Sequence, residues 1–144
     1  MPSGPVAEGR RPAAHRLSGP AVAFAAVTAA TAYVAEVDPG HPGHYPVCPF
    51  LRITGWWCPA CGGLRCVHAL SRGELWTALH DNALATAACL AAVVCWVRWT
   101  WRAAHGRDTP PPALPGIRRL ILPAVLVLGF TVLRNLSYGA FLAP

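Results

Sequence analysis

The chain has 144 residues, of which 54% are hydrophobic and 12% are charged, and its net charge of +6 comes from arginine without any lysine. Soluble domains usually carry about twice that charged fraction, so the composition favours a membrane protein. The arginines lie beside apolar runs and not along one basic face. We therefore expect a lipid bilayer as the partner and no nucleic acid.

The sequence of the N-terminal part, residues 1–37, predicts a tail followed by a membrane span. Residues 1–16 are rich in Pro, Gly and Ala and carry three arginines, which is typical of a disordered basic tail. A single membrane domain is predicted over 17–142, and its first span, 17–37, is long enough to cross roughly 30 Å of hydrocarbon. The alternative is a cleaved signal peptide, because Ala30-Thr31-Ala32 resembles a cleavage site.

A long connection, residues 38–82, follows the first span. Its start is too rich in Pro and Gly for a helix, whereas the apolar residues after Cys61 recur with a helical period. We therefore predict a Cys-rich loop with a short helix at the membrane surface. Ser71 and Glu74 fit a capping box that would begin a second helix, and Asp81 or Asn82 is expected to cap the next span.

The predicted second and third spans cover 83–101 and 117–138, which completes an all-α membrane protein with three transmembrane helices. Three tryptophans mark the end of the second span as an aromatic belt. Five arginines lie in the 98–119 region and three in the tail, against three in the cysteine loop and one in the C-terminal part. The positive-inside rule then predicts a cytoplasmic N-terminus and an extracytoplasmic cysteine loop.

Four of the six cysteines lie in this loop, at positions 48, 58, 61 and 66. Cys58-Pro59-Ala60-Cys61 has the spacing of a redox-active pair. If Pro59 opened a helix, the pKa of Cys58 would fall at its positive end, and Cys48 could exchange with the pair. The same pair is half of a zinc site that Cys48, Cys66 or a histidine could complete. The third interpretation is a purely structural loop, with disulfide staples or with no bond at all.

The loop also carries a compound motif along its length. The motif comprises Cys48-Pro49-Phe50, Thr54-Gly55, Cys58-Pro59-x-Cys61-Gly62-x-x-Arg65, Gly73-Glu74 and Asn82. Together with Arg134-Asn135 near the C-terminus, it resembles the bacterial domain-of-unknown-function family 2752. The resemblance extends over roughly residues 40–140 and implies a small multi-span protein of the bacterial inner membrane with no assigned activity.

The chain departs from that family pattern at three positions. Glu74 stands where the family usually has Asp, Ala83 where it has Pro, and Cys66 where a small apolar residue is expected. The resemblance therefore leaves three cysteines in the signature, at positions 48, 58 and 61.

The span ends carry two opposite charges that we expect to meet. Glu36 lies at the end of the first predicted span and Arg134 near the outer end of the third, so the two are predicted to pair, or Arg134 to reach the headgroups. Small residues in the first two spans favour close helix packing, within the chain, with a second copy or with another membrane protein.

The sequence thus predicts a structural or accessory membrane module built round its cysteine loop. The alternative is a thiol–disulfide redox or zinc-binding membrane protein that uses Cys48, Cys58 and Cys61. The residues assign no enzymatic reaction.

Overall fold

The structure is a computed structural model that describes residues 12–41, 43–107 and 116–142. Its elements are α1 (Ala13–Glu36), α2 (Pro49–Thr54), α3 (Gly63–Ser71), α4 (Leu75–Ala104), α5 (Ile117–Arg134) and a short 3₁₀ helix, η1 (Ser137–Leu142). No strand occurs in these three ranges, so the all-α prediction is confirmed. Of the predicted tail, residues 1–11 lie outside the described part, and α1 begins earlier than expected, directly after Pro12.

Helices α1 and α4 run antiparallel and pack where glycine and proline leave room on α1. The rings of Phe24 and Trp96 stack with their centroids 5.2 Å apart, and the Trp96 indole N–H donates to the carbonyl of Pro20 at 3.0 Å. A side chain at Gly19 would lie 3.0 Å from the Trp99 ring. Two tryptophans of the predicted aromatic belt therefore also pack against α1.

Helix α3 lies across the opposite end of this pair. Its buried residues Cys66 and Ala69 pack on Ala78 of α4 and form the small core of the described residues. The ring nitrogen Nδ1 of His68 donates to the carbonyl of Val34, near the end of α1, at 2.9 Å. A helix is thus present after Cys61, as predicted, and it contacts both long helices.

Helix α4 begins at Leu75, earlier than the predicted span start at residue 83, and bends at Asn82. The backbone of Asn82 leaves the helical region, with φ −165° and ψ 97°, and its side-chain oxygen accepts the N–H of Ala85 at 2.9 Å. Asn82 therefore caps the second part of α4, which confirms the capping prediction. The hydroxyl of Thr86 lies 2.9 Å from the carbonyl of Ala78 and 3.0 Å from that of Asn82, so it serves carbonyls beside the bend.

The predicted capping box at Ser71 is wrong. Ser71 is the last residue of α3, and its hydroxyl donates to the carbonyl of His68 at 2.6 Å. Gly73 then adopts a left-handed conformation with φ +79°, and Glu74 precedes α4 without a side-chain capping bond. The chain turns here through a glycine, and the Glu74 carboxylate stays available.

Two of the three predicted spans meet the length and composition needed to cross a membrane. Among the described residues these are Ala13–Glu36 and Leu75–Ala104. Helix α5 has 18 residues, ends at Arg134 instead of residue 138, and carries arginines at both ends. Its apolar side chains are nevertheless exposed, for example Leu122 at 66% and Leu128 at 66%.

Candidate functional site

Three of the four loop cysteines converge. The sulfur of Cys48 lies 3.5 Å from that of Cys58, and the sulfurs of Cys58 and Cys61 are 2.9 Å apart. All three sulfurs lie within 4.8 Å of one another, which is close enough to bind one metal ion. All three are free thiols. We call Cys48, Cys58 and Cys61 the cysteine cluster.

The local sequence explains how two chain segments bring these thiols together. Cys48 immediately precedes α2, whose first residue is Pro49, a residue that is favourable at that position because its φ suits a helix and it has no N–H to satisfy. Cys58 and Cys61 belong to one turn, in which the Cys61 N–H donates to the Cys58 carbonyl at 3.1 Å. Gly62 follows with φ +81°, a left-handed conformation that glycine adopts at little cost before α3 begins.

The thiol at a helix N-terminus is therefore Cys48 and not Cys58. Pro59 lies within the turn, and α3 begins only at Gly63. The backbone N–H of Leu51 lowers the pKa of Cys48, with further help from the neighbouring cysteine thiols. Burial, reinforced by hydrogen bonds with Cys58 and Cys48, raises the pKa of Cys61 to about 12.

Two long-range side chains hold the carbonyl groups of this turn. The amide nitrogen of Asn82 donates to the carbonyls of Pro59 and Cys61 at 2.8 and 2.9 Å. The Nη1 nitrogen of Arg134 donates to the carbonyls of Cys58 and Cys61 at 3.0 and 3.2 Å. The Cys61 carbonyl thus receives donors from both α4 and α5, which fixes the turn to both helices.

A third side chain, Asn135, holds the residue that precedes Cys58. Its amide oxygen accepts the backbone N–H of Trp57 at 2.8 Å, and its amide nitrogen donates to the Trp57 carbonyl at 2.9 Å. The same nitrogen donates to the carbonyl of Thr131 in α5 at 2.7 Å. This side-chain amide satisfies both backbone polar groups of one loop residue, Trp57, much as a neighbouring strand would.

Arg134 is buried, with 1% of its surface exposed, and its guanidinium lies 5.0 Å from the ring centre of Phe130. Its Nε and Nη2 nitrogens are buried without hydrogen-bond partners among the described residues. The structure does not bring Arg134 and Glu36 together: Glu36 is exposed, Arg134 is buried, and no salt bridge within 4.0 Å joins them. The sequence indicated that Arg134 is unusual, but Glu36, its predicted partner, does not contact it.

Cys66 does not join the cluster, contrary to one of the zinc arrangements that the sequence allowed. Its sulfur is fully buried on α3 and lies 3.2 Å from the hydroxyl oxygen of Thr86. Burial raises the pKa of Cys66. Cys66 therefore belongs to the packing between α3 and α4.

The remaining motif residues shape the backbone near the cluster. The hydroxyl of Thr54 donates to the Phe50 carbonyl at 2.7 Å and accepts the Trp56 N–H at 3.1 Å. Gly55 ends α2 in a left-handed conformation, with φ +72°. Arg65 is exposed on α3 and lines a cavity that shares no residue with the cysteine cluster.

Residues 48–97 match the family model described as a protein of unknown function, DUF2752. The chain resembles that family over this stretch. The matched part contains the whole cysteine cluster and Asn82, whereas Arg134 and Asn135 lie beyond it. No curated protein and no solved structure matches the chain.

Sequence reasoning missed the roles of Arg134 and Asn135 in holding the turn. The available signal was an Arg-Asn pair at the end of an apolar helix, since polar groups placed there need partners when they are buried. That signal indicates a polar contact but does not say which part of the chain supplies it.

Proposed function

We propose that this chain is an integral membrane module whose cysteine cluster binds a thiophilic metal ion, zinc in the first instance, in a structural or accessory role. The observation that carries the proposal is the convergence of the three sulfurs of Cys48, Cys58 and Cys61 within 4.8 Å. Thiolate sulfur is a preferred ligand of zinc, and C-x-x-C is a common half-site.

The distances suit one ion after a small adjustment. Zinc–sulfur bonds of about 2.3 Å in a tetrahedral arrangement place the sulfurs roughly 3.8 Å apart. The Cys48–Cys58 distance of 3.5 Å is close to this value, and the Cys58–Cys61 distance of 2.9 Å must open by rotation of the thiols. Three protein ligands leave a fourth position for water or an external ligand.

The charge of the surroundings also favours an ion held by thiolates. Three thiolates and one Zn²⁺ carry a net charge of −1. Arg134, which is buried and bonded to the carbonyls of Cys58 and Cys61, supplies one compensating positive charge. The same arginine and Asn82 keep the turn rigid before an ion binds, which reduces the ordering cost of binding.

Metal analysis of the full-length protein purified in detergent tests this proposal. We expect about one zinc per chain, and loss of that zinc in Cys48→Ser, Cys58→Ser and Cys61→Ser. Cys95→Ser is the matched control, since Cys95 is exposed on α4 and lies outside the cluster, and it should keep the metal. Substitution by Co²⁺ should add a sulfur-to-metal charge-transfer band. A folded wild-type protein that binds neither ion contradicts the proposal.

A second candidate function is thiol–disulfide exchange, favoured by the 2.9 Å separation of the Cys58 and Cys61 sulfurs. In this reaction the Cys58 thiolate attacks a disulfide of a partner protein and forms a mixed disulfide, releasing one partner thiol. The Cys61 thiolate then displaces the second partner thiol. The partner's disulfide is reduced to two thiols as Cys58 and Cys61 are oxidised. Thiol counting distinguishes the two functions: redox exchange predicts a reversible loss of two thiols in a metal-free protein.

For the membrane arrangement we propose three spans, with α5 as the third, a cytoplasmic N-terminus and an extracytoplasmic cysteine cluster. The exposed apolar side chains of α5 and the arginine distribution support this arrangement. In intact cells treated with a chelator, a membrane-impermeant maleimide should label Cys48 in a variant whose other cysteines are serine. Labelling only after the cells are lysed contradicts this orientation.

A further inference from the structure

A cavity of about 300 Å³ lies between the turn after α1, the surface of α3 and the start of α4. It shares no residue with the cysteine cluster. Its lining residues are mostly polar or charged: Asp38, Gly40, Arg65, His68, Ala69, Arg72, Glu74, Thr77 and Asp81. A volume of this size is at the low end of small-molecule sites, so it suits a compact ligand or a headgroup.

The charges around this cavity form two opposed sets. Arg65 and Arg72 are seven positions apart, two helical turns along α3 and its C-terminal cap, so they lie near one face. Glu74 and Asp81 have the same spacing at the start of α4. The cavity thus has a cationic side on α3 and an anionic side on α4.

Among the described residues, no salt bridge within 4.0 Å joins the two sets. Neither arginine lies within 4.0 Å of a carboxylate oxygen of Glu74 or Asp81, although Arg65 is close enough to Asp81 to interact with it electrostatically. The Ser71 hydroxyl bonds to the His68 carbonyl, and the Glu74 carboxylate makes no side-chain capping bond. Charges of both signs therefore line the cavity with free hydrogen-bonding capacity.

The arrangement of charged side chains around the cavity favours one class of ligand. Arginine guanidinium groups favour phosphate, which they bind through paired hydrogen bonds, and carboxylates accept the N–H groups of an ammonium. A purely anionic ligand would face the carboxylates of Asp38, Glu74 and Asp81. A bare cation would face two arginines. A ligand that carries both a phosphate and a primary amine satisfies both sides.

We propose that this cavity binds a phosphate joined to a primary amine, as in the phosphoethanolamine headgroup. A phospholipid can supply this chemistry, because the cavity lies beside the end of α1 and the start of α4, the two helices able to cross a membrane. That source rests on the proposed membrane placement, whereas a soluble phosphoethanolamine does not require it. Neither source depends on metal at the cysteine cluster.

Native mass spectrometry and calorimetry on the full-length protein in detergent separate these sources. Phosphatidylethanolamine should be retained over phosphatidylcholine, whose quaternary ammonium has no N–H to donate, and over phosphatidylglycerol, which has no cation. Arg72→Gln should weaken retention of phosphatidylethanolamine about fivefold, since one charge-assisted contact is lost. Arg52→Gln is the control, because Arg52 is exposed on α2 and does not line the cavity.

Asp81→Asn should abolish the preference for phosphatidylethanolamine over phosphatidylglycerol while leaving phosphate binding in place. If soluble phosphoethanolamine binds and Arg72→Gln weakens it, while the lipids are retained equally, the chemistry is supported and the source is a soluble molecule. Equal retention of all three lipids, with no binding of phosphoethanolamine to protein of unchanged circular dichroism, overturns the proposal. A loss of zinc in the Cys58→Ser variant should leave this binding unchanged, which keeps it independent of the metal proposal.

Discussion

The region around the cysteine cluster and the long helices differ in which side chains they bury. Near the cluster three polar side chains, Arg134, Asn82 and Thr86, are almost completely buried. Along the helices large apolar side chains are exposed, such as Val22 at 68% and Leu122 at 66%. A water-soluble fold would reverse this distribution.

This contrast indicates which interactions stabilise each region. In lipid, apolar side chains can face the solvent, but polar groups must find partners inside the protein. Hydrogen bonds from three side chains to the cysteine turn and Trp57 fix the cluster end, whereas in the proposed membrane arrangement the exposed apolar side chains of the helices would face lipid. The contrast predicts that substitutions of buried polar residues near the cluster cost far more than changes along the helices.

Arg134→Leu should have the largest effect. It removes the Nη1 donor from the carbonyls of Cys58 and Cys61, so we expect the free energy of unfolding in detergent to fall by about 2–4 kcal/mol. Arg119→Leu is the matched control on the same helix, because Arg119 is exposed. Equal losses of unfolding free energy in the two variants, measured by denaturant unfolding, would contradict the special contribution of the buried Arg134.

Asn82 and Arg134 should be energetically coupled, because both donate to the Cys61 carbonyl. Either donor alone satisfies this carbonyl, but losing both leaves it buried and unpaired. We expect the Asn82→Ala, Arg134→Leu double variant to lose about 1.5 kcal/mol more than the sum of the single variants. Additive losses in the double-mutant cycle would show that the two side chains act separately.

The smallest predicted changes in the free energy of unfolding concern two threonines on α4. The hydroxyl of Thr86 hydrogen-bonds to carbonyls at the bend, whereas the hydroxyl of Thr100 is buried without a hydrogen-bond partner among the described residues. Thr86→Val should therefore lower the free energy of unfolding by about 1 kcal/mol, and Thr100→Val should be neutral or slightly stabilising. A larger loss at Thr100 than at Thr86 would contradict this account of the bend.

The local features of the fold could be predicted from the sequence. Hydrophobic period and length predicted the three long helices and a helix after Cys61. Capping preference placed the start of the second part of α4 at Asp81 or Asn82, and the structure has the cap at Asn82. Each of these depends on residues within a few positions of one another. The motif likewise separated Cys48, Cys58 and Cys61 from Cys66, although only as an implication of the family resemblance.

The long-range contacts of the site could not be predicted. The Arg134 guanidinium and the Cys61 carbonyl are 73 positions apart, and charge alone suggested Glu36 instead, because a carbonyl carries no signal in the sequence. The helix start was also ambiguous, since both Pro49 and Pro59 follow a cysteine. Only the structure shows that Pro49 begins a helix while Pro59 lies in a turn.

X-ray absorption at the zinc edge on the purified full-length protein reports directly on the ligands of the bound metal ion. We expect three sulfur neighbours at about 2.3 Å, from the cysteine cluster, and one oxygen or nitrogen neighbour at about 2.0 Å. Four sulfur neighbours would bring Cys66 into the site and contradict the geometry described above. Bound zinc with only oxygen and nitrogen neighbours would contradict the claim that Cys48, Cys58 and Cys61 form the metal site.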